Sequence, residues 1–135
     1  MSIELTKDSI DIGIVVRDSA AALKFYCDTL GLEHVTDVPF PFGGTMHRLA
    51  CGSTVVKLVR QDDLPAKSDN GGGPQGASGI RYWTISVKDL APIAEKCRAG
   101  GYVIAMEPTE IRPGVRICMI EDPDGNWVEL LEING

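Results

Sequence analysis

The sequence predicts an α+β fold made of two similar strand-helix-strands modules, and three observations carry that prediction. The segment Ile10-Asp11-Ile12-Gly13-Ile14-Val15-Val16-Arg17-Asp18 returns as Ile80-Arg81-Tyr82-Trp83-Thr84-Ile85-Ser86-Val87-Lys88-Asp89, each copy running straight into a helical pattern. Apolar residues alternate within both copies, the period of a strand with one buried face. Between them, Gln61 to Ser78 shifts to Asp, Lys, Asn, Gln, Pro and a Gly71-Gly72-Gly73-Pro74 run, the composition of a mobile linker. A length of 135 residues at 44% hydrophobic suits one domain spanning 1–135, with modules at about 8–60 and 79–133 and a linker at 61–78.

In module one, Ile10, Ile12, Ile14 and Val16 share the helix face of the first strand, while Asp11, Gly13 and Val15 share the other. Asp18 or Ser19 is placed to cap a helix whose Leu23, Tyr26, Cys27 and Leu30 recur at helical spacing before Gly31. A loop at 39–44 precedes strands at about 45–51 and 54–60, joined by a Gly52-Ser53 turn. Module two repeats the order: a strand at 80–87, an Asp89-capped helix bearing Leu90, Ile93, Ala94 and Cys97, and a Gly100-Gly101 stop. Strands at about 103–106, 115–121 and 126–132 complete it. Residues 107–114, rich in Pro and charge, are expected as a flap, and Asp122-Pro123-Asp124-Gly125 as the tight connection before the final strand.

A formal charge of −6, with a pI near 4.8 and no basic stripe, argues against nucleic acid and anionic membrane partners. No apolar run is long enough to cross a bilayer and the start is mixed and charged, so the expectation is a cytoplasmic protein with a small-molecule partner. Cys27, Cys51, Cys97 and Cys118 sit in apolar patterns without metal or redox spacing and read as reduced core or pocket residues.

The strand leading to Ala22-Leu23-Lys24-Phe25-Tyr26 and Leu30-Gly31-Leu32, then Gly79-Ile80-Arg81-Tyr82, then Glu121-Asp122-Pro123-Asp124-Gly125-Asn126-Trp127-Val128-Glu129-Leu130, resembles the vicinal oxygen chelate superfamily. That superfamily includes glyoxalases, extradiol dioxygenases, epimerases, fosfomycin-modifying enzymes and bleomycin-resistance proteins. The resemblance covers nearly the whole chain and is most specific at the final hairpin. It implies two βαβββ modules forming an eight-stranded, mixed, cup-shaped sheet with helices outside, and a homodimer, as many relatives are.

The resemblance also assigns metal ligands to four strand positions, which here hold Asp11, Lys57, Tyr82 and Glu129. Only Glu129 matches the usual occupants, and neither His34 nor His47 stands at such a position. An ammonium among the donors repels a divalent ion at close range, so no metal and no other cofactor is expected. Strand parity places Asp11 with Tyr82, Gly13 with Thr84 and Val15 with Ser86 on the faces away from the helices, and Val55, Lys57 and Val59, like Trp127, Glu129 and Leu131, share faces. The expectation is an apolar cup with polar tips, in which Lys57 supplies positive charge where relatives hold their ion. The plain alternative is a buried charge cluster plugging a dead site, a costly filling because buried ions lose hydration.

Glu129, Asp11, Lys57 and Tyr82 are therefore the candidate catalytic residues. Trp127, Thr84, Ser86, His47 and Arg116 are the candidate substrate-binding ones. Trp127 suits stacking on a flat ligand and equally suits a core; His47 is equally at home as a structural strand histidine; the registers of Arg48 and Arg116 are open. Two function classes remain. One is a metal-independent isomerase, epimerase or lyase acting by proton transfer on a small carbonyl or polycyclic compound, with Glu129 or Asp11 as base and Lys57 or Tyr82 steadying an enolate-like oxygen. The other is a protein that sequesters a hydrophobic ligand, of the bleomycin-resistance type, and needs no catalytic carboxylate.

Overall fold

A computed structural model of the chain describes residues 2–65 and 71–134. The chain divides into two compact units after Pro65. In unit 1, β1 (Ile12–Val15), α1 (Ser19–Leu23), β2 (Glu33–Pro39), β3 (Gly44–Cys51) and β4 (Thr54–Gln61) follow in order. Unit 2 repeats the plan with β5 (Tyr82–Ser86), α2 (Ala91–Ala99), β6 (Ile104–Arg112), β7 (Val115–Glu121) and β8 (Trp127–Ile133). The sheet orders are β1-β4-β3-β2 and β5-β8-β7-β6. In each, the first strand runs parallel to the last and the other pairs are antiparallel. This is the α+β class with the βαβββ order that the sequence predicts.

In unit 1, extended Asp18 accepts the Ala21 N–H on Oδ1 at 3.1 Å, which satisfies one of the free donors at the helix start. From Lys24 to Thr29 the helix widens into a π-helical turn, and the Leu30 N–H reaches back to the Phe25 carbonyl before Gly31, at φ +85°, ends it. The wider turn brings Phe25 into the core beside Tyr26, both fully buried, with their rings edge to face at 4.8 Å. Helix α1 packs on β4, where Val56 and Leu58 close the core with Leu49 of β3.

Unit 2 departs from expectation at three points. Asp89 does not cap α2: the N-cap is Leu90, whose N–H donates to Glu132 Oε1 of β8 at 2.9 Å. The helix start is satisfied by a carboxylate 42 residues away in sequence, beyond the reach of a local capping pattern. The expected flap at 107–114 is mostly strand, because β6 continues to Arg112. Pro108 is accommodated where Glu107 and Pro108 lie between the Met106↔Met119 and Thr109↔Ile117 pairs, a bulge in which a missing N–H costs no ladder bond. Arg98 fixes this stretch to α2 with two hydrogen bonds to Glu107, at 2.6 and 2.9 Å.

The third departure concerns the expected mobile linker. Gln61 ends β4, and Gly73–Gln75 form a 3-10 turn at whose start Gly73 is buried. Arg81 holds that turn by donating from Nε to the Gly73 carbonyl at 2.7 Å and from Nη2 to the Gly71 carbonyl at 3.2 Å. Residues 66–70 of the same expected linker lie outside the described residues. The Asp122 hairpin is as expected: its Oδ1 accepts the N–H groups of Asp124 and Asn126, both at 2.9 Å, and Gly125 takes φ +85°.

Candidate functional site

The register of β5 on β8 builds one continuous face in unit 2. Tyr82 pairs with Trp127, Thr84 with Glu129 and Ser86 with Leu131, and paired residues share a side of the sheet. The β7 partners of Glu129 and Leu131 on this face are Met119 and Ile117. Thr84 Oγ1 donates to Glu129 Oε1 at 2.7 Å, which fixes one carboxylate oxygen and leaves Oε2 without a hydrogen bond from the described residues. Tyr82 is 44% exposed and lies diagonal to Glu129 across the strand pair. Trp127 meets Gly73 so closely that a Cβ there would stand 2.4 Å from the indole carbons; the 3-10 turn thus covers one side of the ring. The indole Nε1 is buried and has no hydrogen-bond partner among the described residues.

Unit 1 has the corresponding face. Gly13 pairs with Lys57 and Lys57 with Arg48, so two cations stand directly across a strand pair. Like charges so placed repel unless an anion sits between or over them. Arg48 reaches toward the Met46 sulfur at 4.0 Å, and among the described residues neither Arg48 nor Lys57 makes an ion pair with a carboxylate. Asp11 lies just before β1 and closes a local clamp: its Oδ1 accepts from Lys7 Nζ at 2.6 Å and from the Val55 N–H at 2.8 Å. The Lys7 hydrogen bond first, then the Val55 N–H, hold this carboxyl below the usual carboxylate range, with Lys57 adding a smaller pull. A clamped, acidified carboxylate is a poor base. Asp11 Oδ1 is thus engaged by two donors, and Lys57 pairs with Gly13 on the adjoining strand.

Two of the expected substrate-binding residues stand on the opposite, helix-facing sides. His47 pairs with Leu58, is 7% exposed and is held by Ser19 Oγ at Nε2 and Asp37 Oδ1 at Nδ1, both at 2.8 Å. Arg116 pairs with Glu132, the residue that serves the α2 terminus, and contributes to holding the Glu132 carboxyl below its usual range. Neither shares a face with Lys57 or Glu129, because β3 and β7 parity follows from cross-strand register, which alternation within the strands left open. Trp83 has the helix-facing parity expected of it. Arg81, Gly73 and the neighbouring cation Arg48 were not placed at the site by sequence. That Arg48 stands across from Lys57 is visible only once the β3–β4 register is known.

All four cysteines are free thiols. Burial pushes Cys97 and Cys118 up to about 11 and raises Cys27 and Cys51 as well, which keeps them protonated and poorly nucleophilic. No helix among the described residues is long and apolar enough to cross a membrane.

A family model described as Glyoxalase/Bleomycin resistance protein/Dioxygenase superfamily matches residues 9–130. The chain is 29% identical over 125 residues to a probable lactoylglutathione lyase from Synechocystis sp., covering 88% of this chain and 90% of that protein. Among solved structures it is similar to a glyoxalase family protein from Bacillus cereus, with TM-score 0.83 and 19% identity over 98% of this chain and 97% of that one. It is also similar to the trypanothione-dependent glyoxalase I of Leishmania major, with TM-score 0.68 and 26% identity over 90% and 84%.

Proposed function

Because the chain belongs to the Glyoxalase/Bleomycin resistance protein/Dioxygenase superfamily, we propose that it is a glyoxalase-like enzyme performing proton transfer on a small, negatively charged carbonyl compound without a metal at the family position. The observation that carries this reading is the Thr84–Glu129 hydrogen bond on the Tyr82 and Trp127 face. Thr84 orients one oxygen of Glu129, and the other takes a proton from carbon next to the substrate carbonyl. Tyr82 donates to the enolate-like oxygen that develops. Return of the proton to the neighbouring carbon gives isomerisation; departure of a group from that carbon gives lyase chemistry. On unit 1 by itself, the cross-strand Lys57 and Arg48 pair favours an anionic group on its face, since a carboxylate relieves their repulsion. Trp127 offers an aromatic surface beside Tyr82. A homodimer in the cytoplasm is part of the same proposal.

The test uses lactoylglutathione, the compound in the name of the Synechocystis relative. Chelator-treated protein should catalyse its breakdown or formation, and Glu129→Gln should lower kcat by about a hundredfold or more while binding persists. Activity that appears only on adding a divalent ion, or that is indifferent to Glu129→Gln, defeats the proposal. Tight binding that is lost in Trp127→Ala and unchanged in Glu129→Gln, with no turnover, is the signature of the sequestering class instead.

A further inference from the structure

We propose that His34, Asp37 and His47, none of them a position that the family resemblance marks for metal, form a binding site for one divalent first-row transition ion on the helix-facing side of unit 1. The three donor atoms lie within 4.8 Å of one another. His34 Nε2 and His47 Nδ1 both donate to the same Asp37 oxygen, at 2.6 and 2.8 Å. Two imidazoles and a carboxylate are the donor set that such ions prefer, and they distinguish it from a calcium or magnesium site built of oxygens alone.

The backbone brings these donors together by an irregularity. Residues three apart in a regular strand point to opposite faces, so His34 and Asp37 should diverge. The register shift between His34 and Thr36 leaves Val35 unpaired and reverses the parity, so that His34 pairs with Leu49 and Asp37 with His47, two β3 residues of the same face. Without that bulge the triad does not exist.

The surroundings match those of a metal ligand. His47 Nε2 lies 2.8 Å from Ser19 Oγ, which fixes the ring from its far side, as outer partners of metal-bound imidazoles do. A hydroxyl both donates and accepts, so it serves His47 in either tautomer. In the metal-free form Nδ1–H faces the carboxylate. With an ion bound, Nδ1 presents its lone pair to the metal and Nε2–H donates to Ser19. His34 likewise presents the Nε2 lone pair to the ion and carries its ring proton on Nδ1, and any additional ring proton is released to solvent. Access is open, because the side chains of His34 and Asp37 are 35% and 49% exposed while that of His47 is 9%. A tetrahedral ion with bonds of roughly 2.0–2.2 Å separates its donors by roughly 3.4 Å, so the two short contacts need to open by less than about 1 Å. The half-exposed Asp37 side chain can supply that movement. Three protein donors leave a fourth position for water or an added ligand.

The experiment is a calorimetric titration of untagged, chelator-treated protein with zinc alone. One equivalent should bind, and His34→Gln and Asp37→Asn should each weaken it by tenfold or more. Both positions are surface-accessible, and circular dichroism of the variants checks that they fold. The combined variant Asp11→Asn, Glu129→Gln should bind zinc as the wild type does. Absence of stoichiometric binding, wild-type affinity in both His34→Gln and Asp37→Asn, or loss of binding in the combined variant instead overturns the proposal. The last outcome would place the ion at the family position and so defeat the metal-free reading above as well.

Discussion

The two sheets share one plan and distribute their polar residues in opposite ways. In unit 1 the helix-facing side holds a histidine–aspartate–serine cluster, and the other side carries the cross-strand cations Lys57 and Arg48. In unit 2 the helix-facing side holds the buried carboxylate Glu132, and the other side carries Glu129 fixed by Thr84. The helix starts differ correspondingly: α1 is capped by Asp18 from its own chain segment, whereas α2 is completed by Glu132 from the last strand of its sheet. Duplication therefore preserves strand order and core, which depend on apolar periodicity, and leaves polar positions free to take separate work.

The shared part of the plan is tested by removing bulk from equivalent core positions. Leu58 and Leu130 are at most 1% exposed and lie at the middle of β4 and β8. Leu58→Ala and Leu130→Ala should each cost about 2–5 kcal/mol in denaturant unfolding. A cost near zero at one position and full at the other would break the equivalence of the units. Next in size is a feature found in unit 2, the glycine turn on Trp127. Gly73 has φ +54° and no room for a Cβ, so Gly73→Ala should destabilise by about 1–3 kcal/mol. Fluorescence of Trp127 in a Trp83→Phe background should shift in the same variant.

The helix starts sharpen the contrast. Asp18→Ala should cost about 1 kcal/mol, whereas Asp89→Ala should stay within about 0.5 kcal/mol because Asp89 makes no cap. The smallest effect at neutral pH is expected of Glu132→Gln, since an amide oxygen still accepts from Leu90. Its signature lies in acid. The Leu90 N–H, then the Asn134 side chain and Arg116, hold the Glu132 carboxyl below its usual 4.5. A depressed carboxylate stabilises fully above that value and loses its contribution as pH falls through the lower folded value. Wild-type stability should therefore decline more steeply below about pH 4.5 than that of Glu132→Gln, and parallel acid unfolding curves would contradict this.

Much of this contrast was legible in the chain, for physical reasons that particular residues show. The inward parity of Ile12, Ile14 and Val16, the Asp18 cap and the shared face of Trp127, Glu129 and Leu131 follow from local periodicity and capping chemistry. What was not legible depends on partners distant in sequence. Composition marks 71–76 as linker, but Arg81 and Trp127 fix it. Pro108 signals an interruption, but a bulge absorbs it. His47 and Arg116 lie on strands whose outward and inward sides are set by cross-strand register, and both belong to the helix side. The Val35 bulge that aligns His34 with Asp37 has no sequence signal in an otherwise regular strand.

The most direct test of the central claim, proton transfer by Glu129 on the unit 2 face, is a steady-state comparison of Glu129→Gln with the wild type on one turned-over substrate. Glu129→Gln should lower kcat by about a hundredfold or more with KM little changed. An unaltered kcat in Glu129→Gln would contradict the assignment of proton transfer to this residue.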